Sequence, residues 1–289
     1  MGGHKPIQDR PVHFAITVPT MIKITCSLPL IATLFCVVWS LMFDFDASTR
    51  THCKVHNWLP TISAVIGGFT PQRYVWRICI ALHAPQRLMV AIGYYSYHTS
   101  VHVGMRNELY KAVAAVNSLL HLIEVLSLVF LSMISSSENG KMHEFLFISF
   151  MVTALTYMLL TIILMRWGRC GHGRIPSLQE ATSLRYKTIL FLFNLSVFAV
   201  AVYFFYRHNA YCEPGVYTAF AFFEYLTVVS NIGFHSLIIM DFHNTGVLMV
   251  DLNSQDDVAV GRHHGSESLR SQRKDGYNVS YVLDSLPSA

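Results

Sequence analysis

The chain has 289 residues, of which 53% are hydrophobic and 13% charged, with a mean hydropathy of +0.40 and a formal net charge of +4. A soluble globular domain carries about 25% charged residues, so this composition excludes one and indicates a membrane protein. The pI of 8.7 does not signal nucleic-acid binding, because the basic residues are spread along the chain instead of gathering on one soluble face.

Residues 1–20 are polar and punctuated by Pro6, Pro11 and Pro19, and read as an N-terminal arm. The first apolar stretch begins about twenty residues in and is too long for a signal-peptide core, so it reads as a signal anchor. Six apolar segments of spanning length follow, at about 22–43, 74–97, 112–133, 144–165, 188–206 and 215–240. This pattern predicts an all-α fold: a six-helix transmembrane bundle over residues 21–245, with a lumenal loop at 44–73.

Six spans place both termini on one side. The segments joined to the termini carry most of the 21 lysines and arginines, whereas the opposite side holds only Arg50, Lys54, Arg73, Lys141 and Arg207. By the positive-inside rule both termini are cytosolic. Residues 246–289 are rich in Ser, Asp, Gly, His and Arg without apolar period, and read as a disordered cytosolic tail. The sequon at Asn278 then stays unglycosylated.

Of the six cysteines, only Cys53 and Cys212 fall outside the membrane on the lumenal side. They are a natural disulfide in an oxidising compartment, tying the first loop to the start of the sixth segment, with two free thiols as the alternative. His52, Cys53 and His56 have a ligand-like spacing, but a disulfide is the better use of Cys53, so no metal site is assigned.

Ionisable residues inside the spans carry the functional signal, since each costs about 2.5 to 3.5 kcal/mol at the bilayer centre unless it has a partner or a task. The second segment holds Arg77, His83 and Arg87, with Pro85 between the last two. The third holds Asn117, His121 and Glu124 within an arc of about 60° on a helix. The sixth holds Tyr217, Glu224, Asn231 and His235 within about 40°.

Counted at 1.5 Å per residue, Arg87, Glu124 and Glu224 lie at similar depth and can meet. Tyr217 to His235, by contrast, spans about 27 Å, too far for one compact site. The bland reading is a set of interhelical ion pairs; the functional one is a polar cavity for a lipid headgroup or a reacting ester. No G-x-S-x-G, H-E-x-x-H or P-loop occurs. The His4-x4-Asp9 spacing matches an acyltransferase pattern, but its place in the terminal arm makes chance the better account.

Three ordered blocks, PQRYVWRICIALHAPQR at 71–87, SSSENGKMHE at 135–144 and YRHNAYCEPGVYTAFAFFEY at 206–225, resemble the post-GPI-attachment-to-proteins factor 2 family, related to the damage-regulated autophagy modulators. The resemblance covers roughly residues 20–245. It implies a multi-pass protein of the Golgi apparatus or endoplasmic reticulum membrane that remodels the lipid of GPI anchors, where a lyso-GPI intermediate regains a saturated fatty chain. Its partners would be GPI-anchored proteins, their lyso-GPI lipid and membrane lipids.

Under an acyltransferase reading, His83 or His235 is the general base, oriented by Glu124 or Glu224. Arg77 and Arg87, with Asn117, His121, Tyr217 and Asn231, would bind the headgroup. Glu224 is the central residue of that reading. No cofactor is required, and the acyl donor stays open. The alternatives are a non-catalytic scaffold presenting lyso-GPI to a separate acyltransferase subunit, and a lipid or proton pathway along the same stripe.

Overall fold

In the computed structural model, residues 12–171 and 175–250 are described. The expectations placed on His4, Asp9, Asn278 and the tail beyond residue 250 lie outside them. Strand β1 (Val12–Thr17) leads into helix α1 (Val18–Phe43), followed by α2 (Ile62–Gly67), α3 (Gln72–Thr99), α4 (Asn107–Met133), α5 (Gly140–Leu164), α6 (Leu178–Tyr211), α7 (Val216–Ser236) and strand β2 (Gly246–Val250). Among the described residues the regular structure is helical apart from one small ribbon.

Five of the helices are long and apolar enough to cross a membrane, with spans at Val18–Phe43, Gly104–Met133, Gly140–Arg169, Leu178–Tyr211 and Val216–Asp241. Helix α3 matches the second predicted segment in place and is 28 residues long. It fails on composition, because Arg73, Arg77, His83, Arg87 and His98 lie along it. Its central polar residues face the bundle: His83 and Arg87 are buried, while Ile78, Leu82 and Ile92 are exposed. The apolar outer face is what a helix needs against lipid, and the polar inner face is what lowers its mean hydropathy.

Neighbours in sequence pack side by side, α6 along α7, α4 along α5, and α3 along both α4 and α1, with α1 also meeting α7. Helix α3 runs unbroken through Pro85. Helix α6 begins ten residues before the predicted fifth segment because Ser177 and Glu180 form a capping box there, each side chain bonded to the other's backbone N–H. It also runs on to Tyr211, so the polar stretch around Arg207 and His208 forms the last turns of a helix.

Cys212 caps α6 in the left-handed region and forms a disulfide with Cys53, 159 residues away. The 44–71 segment thereby lies across the start of α7. The amide of Gly215 donates to the His56 carbonyl at 3.1 Å, and that of Trp58 donates to Thr218 Oγ1 at 2.8 Å. Gly215 has φ +76°, and a Cβ there would sit 2.5 Å from the Trp58 ring, so two constraints converge on glycine.

The ribbon differs from expectation. Val12–Thr17 and Gly246–Val250 pair antiparallel, with Ala15 opposite Leu248 and Thr17 opposite Gly246. The ends of the predicted arm and tail therefore join each other next to the bundle. Val18 N–H continues the ladder to the Thr245 carbonyl at 2.9 Å.

Candidate functional site

The residues singled out on α3, α4 and α7 converge on two neighbouring groupings. The first surrounds Arg87. Its Nη2 donates to Glu124 Oε1 at 2.9 Å and to His121 Nε2 at 3.1 Å. The Nε2 of His235 lies between guanidinium and carboxylate, 2.6 Å from the former and 3.1 Å from the latter. A bare Nε2 accepts from Arg87, and a protonated one donates to Glu124, so this nitrogen has a proton position at either setting.

Arg87, His121, Glu124 and His235 are all buried. The ligand-type atoms of His121, Glu124 and His235 lie within 4.8 Å of one another, and the Arg87 guanidinium supplies the positive charge among them. His121 packs between aromatic rings, 4.4 Å from Tyr157 and 5.2 Å from His235. One turn earlier, Asn117 donates to Thr161 Oγ1 at 3.0 Å and ties α4 to α5.

The second grouping surrounds Glu224 and corrects the expectation that its partners come from the second and third segments. Glu224 Oε2 accepts the backbone N–H of Ile62 at 3.0 Å. Its partner is thus the first turn of α2 in the 44–71 segment, with no cation among the described residues in contact. A carboxylate at free helix N–H groups is a favourable arrangement, and here it pins α2 against α7.

Arg77 is placed at the C-terminal end of α4. It donates to the Ser132 and Met133 carbonyls at 3.2 and 2.8 Å and approaches Glu138 at 3.6 Å, closing the end of α4. Tyr217 packs its ring 4.6 Å from His208, at the disulfide end.

A cavity of about 80 Å³ joins the two groupings, with His83, Arg87, Glu224, Asn231 and His235 among its lining. Glu224 and His235 therefore share one space, although the stripe from Tyr217 is too long to do so and Tyr217 is not among the lining residues. His83 donates from Nδ1 to the Thr25 carbonyl at 2.9 Å. A carbonyl carries no proton, so Nδ1 is protonated, and in the neutral ring Nε2 is then the bare nitrogen. That Nε2 is buried with no protein partner, as are Glu124 Oε2, Arg87 Nε and His121 Nδ1.

Two residues in the same cavity escaped sequence reasoning. His143 on α5 bonds through Nε2 to Ser63 Oγ at 3.0 Å and through Nδ1 to the Ile134 carbonyl at 2.7 Å. The signal available was the 135–144 block, which contains His143. Ser63 had none, since a serine in a loop is ordinary.

The Frag1/DRAM/Sfk1/Cwh43P N-terminal domain matches residues 19–245. The chain is 44% identical over 236 residues to acyltransferase PGAP2 of Xenopus tropicalis, covering 82% of this chain and 92% of that protein. It is 44% identical over 222 residues to post-GPI attachment to proteins factor 2 of Drosophila pseudoobscura pseudoobscura, covering 77% and 84%. A more distant match, protein cwh43 of Schizosaccharomyces pombe, is 24% identical over 190 residues and covers 17% of that protein. No solved structure matches. The chain belongs to the post-GPI attachment to proteins factor 2 family, within the wider Frag1/DRAM/Sfk1/Cwh43P group.

Proposed function

We propose that this protein remodels the lipid of GPI anchors after their attachment to proteins, by transferring a fatty acyl group to lyso-GPI in the cavity between α3, α4, α5 and α7. The relatives' names carry the substrate class, and two of them are named acyltransferases. The observation that carries the chemistry is His83, whose Nε2 is buried without a protein partner, in the lining of a cavity that also holds Arg87 and Glu224.

His83 is placed to take the proton from the free glycerol hydroxyl as it attacks an acyl carbonyl. Arg87, fixed by Glu124 and His121, offers positive charge toward the oxyanion that develops. About 80 Å³ accommodates a reacting ester and not a long chain, so the acyl tails stay in the surrounding lipid.

The disulfide favours the end bearing Cys53 and Cys212 as the lumenal one. With α3 counted as a sixth span, both termini are cytosolic and the host membrane is that of the Golgi apparatus or endoplasmic reticulum. The cytosolic ribbon then brackets the first and last spans.

Reconstitution tests this reading. Purified protein in liposomes with lyso-GPI and a labelled acyl donor should yield diacyl GPI, and His83→Gln should lower the rate about 100-fold or more. Transfer appearing only after a second acyltransferase is added would establish the scaffold alternative instead.

A further inference from the structure

We propose that Ser63 and His143 form a nucleophile and base pair that carries the fatty acyl group as an ester on Ser63 between donor and acceptor. The proposal rests on the acyl-transfer reading above and names the residue that holds the chain in transit.

The argument begins with the tautomer of His143. Its Nδ1 meets the Ile134 carbonyl at 2.7 Å, and only a protonated Nδ1 can make that bond. In the neutral ring Nε2 is then the acceptor, and the hydroxyl 3.0 Å away, that of Ser63, is the donor. A serine hydroxyl donating to an imidazole nitrogen whose other nitrogen is held by a fixed acceptor is the arrangement that activates a serine. Here a main-chain carbonyl does the holding.

The surroundings fix both members. Ser63 lies in the first turn of α2, where the Thr61 side chain accepts from Ala64 N–H at 3.2 Å and Glu224 binds the Ile62 amide. Glu224 is thereby a positioning residue for the nucleophile. His143 is buried, and both side chains line the same cavity as His83. Ile66, Trp76, Ile80, Phe147 and Phe150 complete an apolar wall beside them, which suits the first carbons of a fatty chain.

Ser63 is ten residues from Cys53, so the pair works on the oxidising side, where a membrane phospholipid ester is the donor at hand. Ser63 Oγ attacks its carbonyl carbon while its proton passes to His143 Nε2. The donor C–O bond then breaks, and the lysophospholipid leaves as an alcohol carrying that proton. In the second half His83 takes the proton of the lyso-GPI hydroxyl, which attacks the acyl-serine. The ester C–O bond to Ser63 then breaks, and Ser63 Oγ takes up the proton that His83 removed, which leaves both imidazoles neutral and the serine hydroxyl restored.

The test uses the full-length protein in vesicles of phosphatidylcholine and phosphatidylethanolamine with alkyne-tagged palmitoyl chains, quenched in acid and digested for mass spectrometry. The expected result is a palmitoyl ester on the Ser63 peptide, absent in Ser63→Ala and reduced at least 100-fold in His143→Gln. Ser63→Cys should move the label to a thioester that neutral hydroxylamine cleaves, a chemical signature no merely structural serine would give.

Adduct without transfer to added lyso-GPI would keep the pair and overturn the acyl-GPI reading. Transfer that persists in Ser63→Ala, with no adduct in the wild type, would overturn the pair and keep the reading. Neither adduct nor transfer overturns both.

Discussion

Two buried charge clusters lie in this bundle, and they are built to different standards of completeness. At one, Lys187 on α6 meets Asp241, the last residue of the one-turn helix Ile238–Asp241 after α7. Asp241 Oδ2 also accepts from Tyr94, Ser183 donates to Oδ1 at 2.6 Å, and Lys187 reaches the Tyr94 hydroxyl at 3.0 Å. Every charged atom there has a partner, although Nε2 of the neighbouring His98, whose ring stacks 5.7 Å from Tyr94, has none.

The other, around Arg87, leaves Arg87 Nε, His121 Nδ1, Glu124 Oε2 and the nearby His83 Nε2 without a protein partner. Buried polar atoms are nearly always satisfied, so under the proposed function the contrast is one between a lock and a workplace. The Lys187 cluster fastens α6 and α7 to α3. The Arg87 cluster, on the acyl-transfer proposal, keeps bonding capacity for the reacting groups.

The largest expected effect is common to both. Removing one member of either pair strands a buried charge, so Lys187→Met and Glu124→Leu should each lower stability by about 3 to 5 kcal/mol, measured as unfolding in detergent micelles. A loss under 1 kcal/mol at either site would mean that the stranded charge reaches water and that the cluster is not closed.

Removing both members should then split the two. Lys187→Met with Asp241→Leu should restore stability to within about 1 to 2 kcal/mol of wild type, since apolar replacement of a saturated ion pair is often near neutral, and lyso-GPI acylation should persist. Arg87→Met with Glu124→Leu should recover stability only in part, because His121 and His235 lose their partners, and acylation should fall about 100-fold or more. Equal activity in the two double variants would erase the distinction between lock and workplace.

What the sequence shows of these clusters follows from where each charge sits. Arg87 and Glu124 are deep in apolar runs, where insertion cost singles them out and a count along the helix places them level; they meet at 2.9 Å. Lys187 and Asp241 sit at the ends of runs, where a basic residue reads as a topology signal and an acid as the edge of a tail. Nothing in one dimension says that they turn inward.

Glu224 stands out for the same reason as Arg87, but its partner is a backbone amide, a group every residue but proline carries, so the sequence has no mark for it. Cysteines are the opposite case: with the spans drawn, Cys53 and Cys212 were the two left on one side, and they are bonded. The ribbon was invisible because VHFAIT and GVLMV are short runs whose pairing depends on the bundle bringing the ends together.

The smallest effect concerns an exposed pair that sharpens the contrast from outside. Arg207 donates to both carboxylate oxygens of Glu213 at 2.7 and 3.1 Å, yet about 40% of each side chain is exposed. Those hydrogen bonds hold the Glu213 carboxyl below its ordinary value. A carboxyl whose folded value is depressed stabilises the fold fully above its unfolded value of about 4.3, and the contribution fades as pH falls through the folded value. The difference in thermal midpoint between wild type and Glu213→Gln should thus be small at pH 7, because solvent screens such a pair, and should shrink to nothing in acid. A difference that widens on acidification would reverse the sign and show that the carboxylate strains this corner beside Cys212.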